Sequence, residues 1–282
     1  MKNVKIIKDS KSLIKEVKKY KLQKKKIGFV PTLGGLHKGH IKLIRLAQKK
    51  SDIVIVSIFL NPLQFNSKKD FSNYPINIAN DKAKIFKEKV RILYIPQIKE
   101  IFLKNKIKKI KASNVANKLC GKHRKGHFNG VVTVLKVLFE QVSPHYAFFG
   151  EKDFQQVLII KDLISKYNFK IKIILLPTVR NSKGLAYSSR NKLLTTKQKN
   201  IAKYLYKTIN EISYIIFKNI KEINNLEEIG KKKLLYYGFT KVDYFKIYNE
   251  NNLSKKKINK KNIRIFAAAN LGKIRLIDNY KV

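Results

Sequence analysis

Apolar positions recur along this chain in two alternating rhythms. Residues 27–30 form a short apolar run, and residues 40–50 repeat Ile41, Ile44 and Ala47 at helical spacing. Residues 53–60 read IVIVSIFL, a β-branched run of the kind buried in parallel sheets. The alternation continues: helix over 79–89, strand over 90–95, and a helix over 128–142 with its stripe at Val131, Val134, Leu135, Leu138 and Val142. Strand 146–149, helix 153–167 and strand 171–176 follow. Strands alternating with helices imply right-handed crossovers and a mainly parallel sheet.

Beyond about Arg190 the rhythm changes. Thr195 and Gln198 have the spacing of a capping box, opening a helix to about 217. A helix over 226–237, strands over 242–248 and 263–268, a turn at Asn270, Leu271 and Gly272, and a strand over 273–277 complete the pattern. The Lys/Asn-rich stretch 249–262 reads as a solvated loop. The expectation is an α/β protein: a mainly parallel-sheet domain over 1–182 and a smaller α+β domain over 183–282.

Charge alters this picture less than its size suggests. The 282 residues carry a net charge of +45, which alone would point to a polyanion partner. The lysines are spread along the whole chain, and Asn, Ile, Tyr and Phe are abundant too. These residues share A/T-rich codons, so genome bias explains them, and no nucleic-acid-binding signature is present. No dedicated nucleic-acid partner is expected, only weak polyanion binding at low salt. Cys120 is the single cysteine, so no intrachain disulfide is possible, which fits a reducing cytoplasm. No apolar run has membrane-spanning length, and the N-terminus lacks a signal-peptide core because its apolar residues alternate with charges.

Polar clusters fall at the carboxyl ends of four expected strands, where open parallel sheets bind ligands. The first, PTLGGLHKGH (Pro31 to His40), joins a strand to a helix. Its glycines would let backbone approach an anion, the helix start offers N–H groups, and His37 and His40 offer two donors to phosphate. The second, SIFLNPLQF, carries Asn61 and Gln64, neutral amides suited to a small polar substrate. The third, GEKDFQQ, carries Lys152 as a phosphate-holding charge, Asp153 for Mg²⁺ or a ribose hydroxyl, and Gln156. The fourth runs from Pro177 to Asn191 and contains Ser188, Ser189 and Arg190, a compact anion-binding group. Taken singly, a glycine turn, a surface ion pair and a capped loop would explain each. Convergence above one sheet edge is what makes them a site. No P-loop or GxSxG elbow is present, and zinc at Cys120, His123 and His127 lacks an evident fourth ligand.

These motifs together resemble the pantoate–β-alanine ligase (pantothenate synthetase) family nearly end to end. They include DFSNYP (Asp70 to Pro75), RKGHFNGV (Arg124 to Val131) and RLIDN near the end. The histidine and SSRN segments also resemble the signature loops of the wider nucleotidyltransferase superfamily. The resemblance implies a Rossmann-like N-terminal domain with the C-terminal domain as a lid, and a cytoplasmic homodimer using Mg²⁺ and ATP to join pantoate to β-alanine through a pantoyl adenylate. It implies ATP contacts at Leu33, Gly34, Gly35, Leu36, His37, Lys38, Gly39 and His40, with His40 as proton donor. It extends them to Gly150, Glu151, Lys152, Asp153, Val179, Tyr187, Ser188, Ser189 and Arg190. Gln64, Gln156 and Asn61 would meet pantoate or β-alanine; His40, His37, Lys152 and Arg190 would carry the catalysis. The chain departs from the family pattern at Leu33 (usually Met), Ile76 (usually Arg), Lys125 (usually Pro) and Tyr187 (often aliphatic). Two other readings stay open: a nucleotidyltransferase that stops at nucleotidyl transfer, and a nucleic-acid-binding module.

Overall fold

The computed structural model describes residues 4–102, 109–218 and 223–282. The elements in order are β1 (Lys5–Ile7), α1 (Ser10–Leu22), β2 (Ile27–Thr32), α2 (Lys38–Lys50), β3 (Ile53–Ile58), α3 (Lys68–Ser72), α4 (Ile78–Lys87), β4 (Ile92–Tyr94) and α5 (Ile98–Ile101). There follow α6 (Leu119–His123), α7 (His127–Val142), β5 (Tyr146–Gly150), α8 (Phe154–Lys166), β6 (Lys172–Leu176), α9 (Thr196–Lys218), α10 (Ile223–Tyr236), β7 (Lys241–Asn249), β8 (Ile263–Leu271) and β9 (Ile274–Lys281). Among the described residues 3₁₀ turns lie at Pro62–Gln64, Asn114–Asn117, Glu151–Asp153 and Ser189–Leu193.

The chain divides into two compact units, and the division is not a single cut. The first holds residues 1–113, 124–150 and 159–177; the second holds 114–123, 151–158 and 178–282.

In the first unit six strands form one parallel sheet, ordered β1-β4-β3-β2-β5-β6. All six residues of β3 are buried, as expected of a strand covered on both faces. Alternate strand residues serve opposite faces. Val30, Val54, Val56 and Phe148 pack with Leu43, Ile44 and Ala47 of α2 and Ile85 of α4. Phe29 meets Phe139 of α7 edge to face, at 6.3 Å between ring centres.

The second unit is built on an antiparallel sheet, β7-β8-β9. Its core joins Leu205, Ile209, Ile212 and Ile216 of α9 with Ile263, Ile265, Ala267 and Ala269 of β8. The expected capping box opens α9: Thr195 N–H donates to Gln198 Oε1 at 3.0 Å, and Gln198 N–H donates to Thr195 Oγ1 at 3.2 Å. Among the described residues no helix is long and apolar enough to cross a membrane.

The expected strands and helices are present, with shifted ends. β9 runs four residues past its expected end at 277 and β8 three past 268, because the two pair with each other from Leu271↔Ile274 to Arg264↔Lys281. β1 and α1 went unforeseen. β1 has three residues, and α1 buries only Leu13, Val17 and Tyr20 on an otherwise lysine-rich helix.

Candidate active site

β2 lies between β3 and β5, so the crossovers leave it toward one side while the later strands add on the other. That reversal is where parallel sheets bind nucleotides, outside the carboxyl ends of the strands. The turn leaving β2 needs glycine. Gly34 has φ +87°, and a Cβ there would stand 2.5 Å from Ile76 Cδ1. Ile76, in place of the family's Arg, packs against the apolar core under this turn.

The glycines of this turn carry no side chains to block an anion, while the amides of Gly34, Gly35 and Leu36 are engaged within the protein. Gly35 and Leu36 N–H each donate at 2.7 Å to the buried carboxylate of Asp81 on α4. Gly34 N–H donates to Thr32 Oγ1 at 3.2 Å, and Lys84 Nζ donates to Leu36 O at 2.7 Å. Asp81 is an internal anion, and it holds two successive amides that would otherwise be buried unpaired.

α2 begins at Lys38, two residues before the 40–50 that its apolar spacing predicts, with His37 as N-cap. His37 Nδ1 accepts from Gly39 N–H at 3.2 Å, and His40 Nδ1 accepts from His37 N–H at 3.3 Å. This is a reciprocal capping box made by two imidazoles, and the rings stack at 4.0 Å. A ring nitrogen that accepts from a backbone N–H carries a lone pair. Both rings are thereby fixed in the tautomer with hydrogen on Nε2, at the positive end of the helix dipole.

Gln64 ends the 3₁₀ turn after β3. Its backbone oxygen accepts from His127 Nδ1 at 2.7 Å and from Arg124 Nη2 at 3.2 Å. Arg124 Nη1 meets His127 Nε2 at 3.0 Å, which gives His127 the opposite tautomer from His37 and His40. The turn sits directly on α7, where a Cβ on Gly130 would stand 2.3 Å from Leu63 O. Asn61 is buried, and both its N–H donors are engaged, with Gln64 Oε1 at 3.1 Å and Gly130 O at 3.0 Å. Its Oδ1 accepts from Leu63 N–H at 3.0 Å. Asn61 therefore orients Gln64. Arg124 and His127, without a firm role in the sequence, hold the same turn.

The second unit carries the remaining expected residues. The Glu151–Asp153 turn follows directly on β5, whose last residue is Gly150. Lys152 Nζ lies 3.8 Å from Asp153 Oδ1; the lysine side chain is 19% exposed and the aspartate 50%. The adjacent glutamines divide. Gln155 is buried and ties down 115–120, accepting from Cys120 N–H and donating to Val115 O and Lys118 O, while Gln156 is half-buried. Val179 and Tyr187 close a hairpin, with Tyr187 N–H donating to Val179 O at 2.9 Å. Ser188 caps the turn that follows by accepting from Arg190 N–H at 3.3 Å, and Ser189 is buried.

Among the described residues no group of three or more His, Cys, Asp or Glu is placed to hold a metal. In the second unit Cys120 Sγ meets Tyr244 Oη at 3.0 Å and Arg275 Nη1 at 3.6 Å. Arg275 also binds Asp243 at 2.7 Å. Burial, together with the neighbouring Cys120, pushes the Tyr244 hydroxyl well above its ordinary range. Burial would raise Asp243, but Arg275 outweighs it and holds the carboxyl low. Burial lowers the pKa of His123. In the first unit, His127 is engaged by Gln64 and Arg124 as described.

For Mg²⁺, Asp153 is the one carboxylate among the sequence-derived candidates that stands half exposed beside a candidate phosphate-binding lysine. That suits an ion carried in by phosphates and held by one or two carboxylates, as Mg²⁺ commonly is.

The parallel sheet, its reversal at β2 and the doubly histidine-capped helix that follows define a nucleotide-binding α/β enzyme. The particular family follows from comparison with known proteins. The pattern of the family "Pantoate-beta-alanine ligase" matches residues 5–281. A pantothenate synthetase of Buchnera aphidicola from Acyrthosiphon pisum is 46% identical over 98% of each chain. One of Neisseria meningitidis serogroup B is 37% identical, covering 95% of this chain and 97% of its own. Among solved structures, the pantothenate synthetase of Thermus thermophilus superposes with a TM-score of 0.90 at 29% identity over 99% of both chains. The pantoate-beta-alanine ligase of Francisella tularensis, complexed with β-γ ATP and β-alanine, has a TM-score of 0.83 at 36% identity, covering 99% of this chain and 97% of that one. The chain belongs to the pantoate–β-alanine ligase family, and it is an ATP-dependent ligase of pantoate and β-alanine.

Proposed function

We propose how this chain carries out that ligation. The pantoate carboxylate attacks the α-phosphorus of ATP in line, pyrophosphate leaves, and pantoyl adenylate forms. The amine of β-alanine then attacks the acyl carbon, AMP leaves, and the amine proton is lost to give pantothenate. No enzyme-bound covalent intermediate is needed. Catalysis rests on orientation and on donors aimed at developing charge.

The observation that carries the residue assignment is the paired imidazole cap on α2. His37 and His40 carry their hydrogens on Nε2, the donor form that phosphate oxygens need, because their Nδ1 atoms accept from backbone. We assign Leu33, Gly34, Gly35, Leu36, Lys38 and Gly39 to the ATP contact beside them. Side chains, and not the engaged amides of this turn, would meet the phosphates. Gln64 and Gln156 hold pantoate, and Asn61 holds Gln64.

Lys152, Ser188, Ser189 and Arg190 bind and stabilise the polyphosphate, and Lys152 and Arg190 favour pyrophosphate departure. Gly150, Glu151, Asp153, Val179 and Tyr187 complete the nucleotide contact. Asp153 would hold Mg²⁺ arriving with ATP; the ion would neutralise phosphate charge. The catalytic ATP- and pantoate-binding part is assigned to 1–182 and the lid to 183–282. The family resemblance supports a homodimer, and the lone buried cysteine supports the cytoplasm.

Mass spectrometry of products from ATP, pantoate and β-alanine, each omitted in turn, tests the reaction. The expected result is pyrophosphate release that needs pantoate, and AMP and pantothenate release that also need β-alanine. AMP release that ignores β-alanine would overturn it.

A further inference from the structure

The last strand, β9, carries two consecutive buried polar residues, Asp278 and Asn279, each 4% exposed. Neighbours on a strand point to opposite faces, so the pair reaches two different segments. Asn279 Nδ2 donates to Glu151 O and to Lys152 O, each at 2.9 Å. Its orientation is not ambiguous. Asn279 Oδ1 accepts from Arg264 Nη1 at 2.6 Å, and a flipped amide would set oxygen against two carbonyls. Arg264 is itself fixed by Glu250 at 3.0 Å and lies 3.8 Å above the ring of Phe154, the residue that opens α8. The turn bearing Lys152 is thus held at two carbonyls and at its exit.

Asp278 serves the other segment. Arg180 binds it through both terminal nitrogens, at 2.5 and 2.9 Å, and also donates to Gly184 O at 3.2 Å. Arg180 pairs with Ala186 across the hairpin that leads into Tyr187, Ser188, Ser189 and Arg190. Asp278 Oδ1 accepts from Asn279 N–H at 2.8 Å, so the two residues also fix each other.

We propose that Asp278 and Asn279 are positioning residues for the adenylation step, Asn279 setting the backbone that aims Lys152 and Asp278 the hairpin that presents Ser188 to Arg190. This rests on the assignment of Lys152 and Arg190 to the polyphosphate. A displacement of about 1 Å in such a group can cost on the order of 100-fold.

The test is a double-mutant cycle in the full chain, reading pantoate-dependent pyrophosphate release against ATP concentration, with Tm recorded for each variant. Asn279→Ala is expected to lower kcat/KM for ATP about 10- to 100-fold while the KM for β-alanine stays unchanged. In a Lys152→Ala background the same substitution is expected to cost less than about threefold. Asn279→Ser keeps a donor and should recover part of the loss. It also serves if Asn279→Ala does not fold. Asp278→Asn should couple in the same way to Arg190→Ala. Equal losses with and without Lys152 overturn the positioning role. A Lys152→Ala protein that turns over normally overturns the assignment of Lys152 itself, and the two failures are thereby distinct.

Discussion

At the scale of single residues, the chemistry turns on which atoms the fold has already committed. His40 gives its Nδ1 to the cap and so carries its hydrogen on Nε2. His40→Ala should lower adenylate formation by about 100- to 1,000-fold, the usual loss on removing one donor to developing charge. It should also cost about 1 kcal/mol of stability through the lost cap. Near-normal pyrophosphate release with pantoate would refute the role. Gln64→Ala should raise the KM for pantoate more than that for ATP. Steady-state kinetics in both substrates check it, and an unchanged pantoate KM would count against it.

Asn61 teaches the complementary lesson. A neutral amide beside Gln64 looked like a substrate contact in the sequence, whereas in the fold both its N–H groups serve the protein. Hydrogen-bond partners far apart in sequence decide such roles, and no local motif reports them.

At the scale of elements, the alternation of apolar runs and helical stripes made the parallel sheet legible. Strands buried on both faces, such as β3, write that fact directly into the sequence. α1 was illegible because three apolar residues suffice to seat it. The histidine loop was legible as a nucleotide motif, but the engagement of its amides was not, because Asp81 lies 45 residues away in sequence from the turn it completes. Asp81→Ala should leave Gly35 and Leu36 N–H without acceptors and cost about 1–3 kcal/mol per unpaired group. Chemical denaturation would measure this, and an unchanged midpoint would show that the carboxylate is dispensable. Gly130→Ala should push the Pro62–Gln64 turn off α7, since the new methyl would overlap Leu63 O. The expected signature is a raised pantoate KM with ATP binding retained.

At the scale of the whole molecule, charge governs the response to acid. Burial would raise Glu250, but hydrogen bonds from Lys281 and Arg264 outweigh it and hold the carboxyl below its ordinary 4.5. Asp243 lies below its ordinary 3.8 because Arg275 outweighs burial in the same way. A carboxyl lowered on folding contributes stability above its unfolded value and loses it as pH falls through the folded one. The protein should therefore hold its Tm from neutral pH down to about pH 5 and lose it steeply below about pH 4, where self-repulsion of a chain at +45 also grows. Thermal melts across that range test it. A Tm that is flat to pH 3 would mean these carboxylates are not coupled to folding.

The second unit borrows residues 114–123 and 151–158 from within the stretch that otherwise builds the first. On the ribosome these pieces emerge well before β7, β8 and β9. At ~5–20 residues per second, Cys120 and Phe154 wait on the order of ten seconds for Tyr244, Arg264 and Arg275 to be synthesised. Neither unit can be obtained whole by cutting one peptide bond, so a nascent chain stalled before β7 should remain open to protease at both borrowed segments.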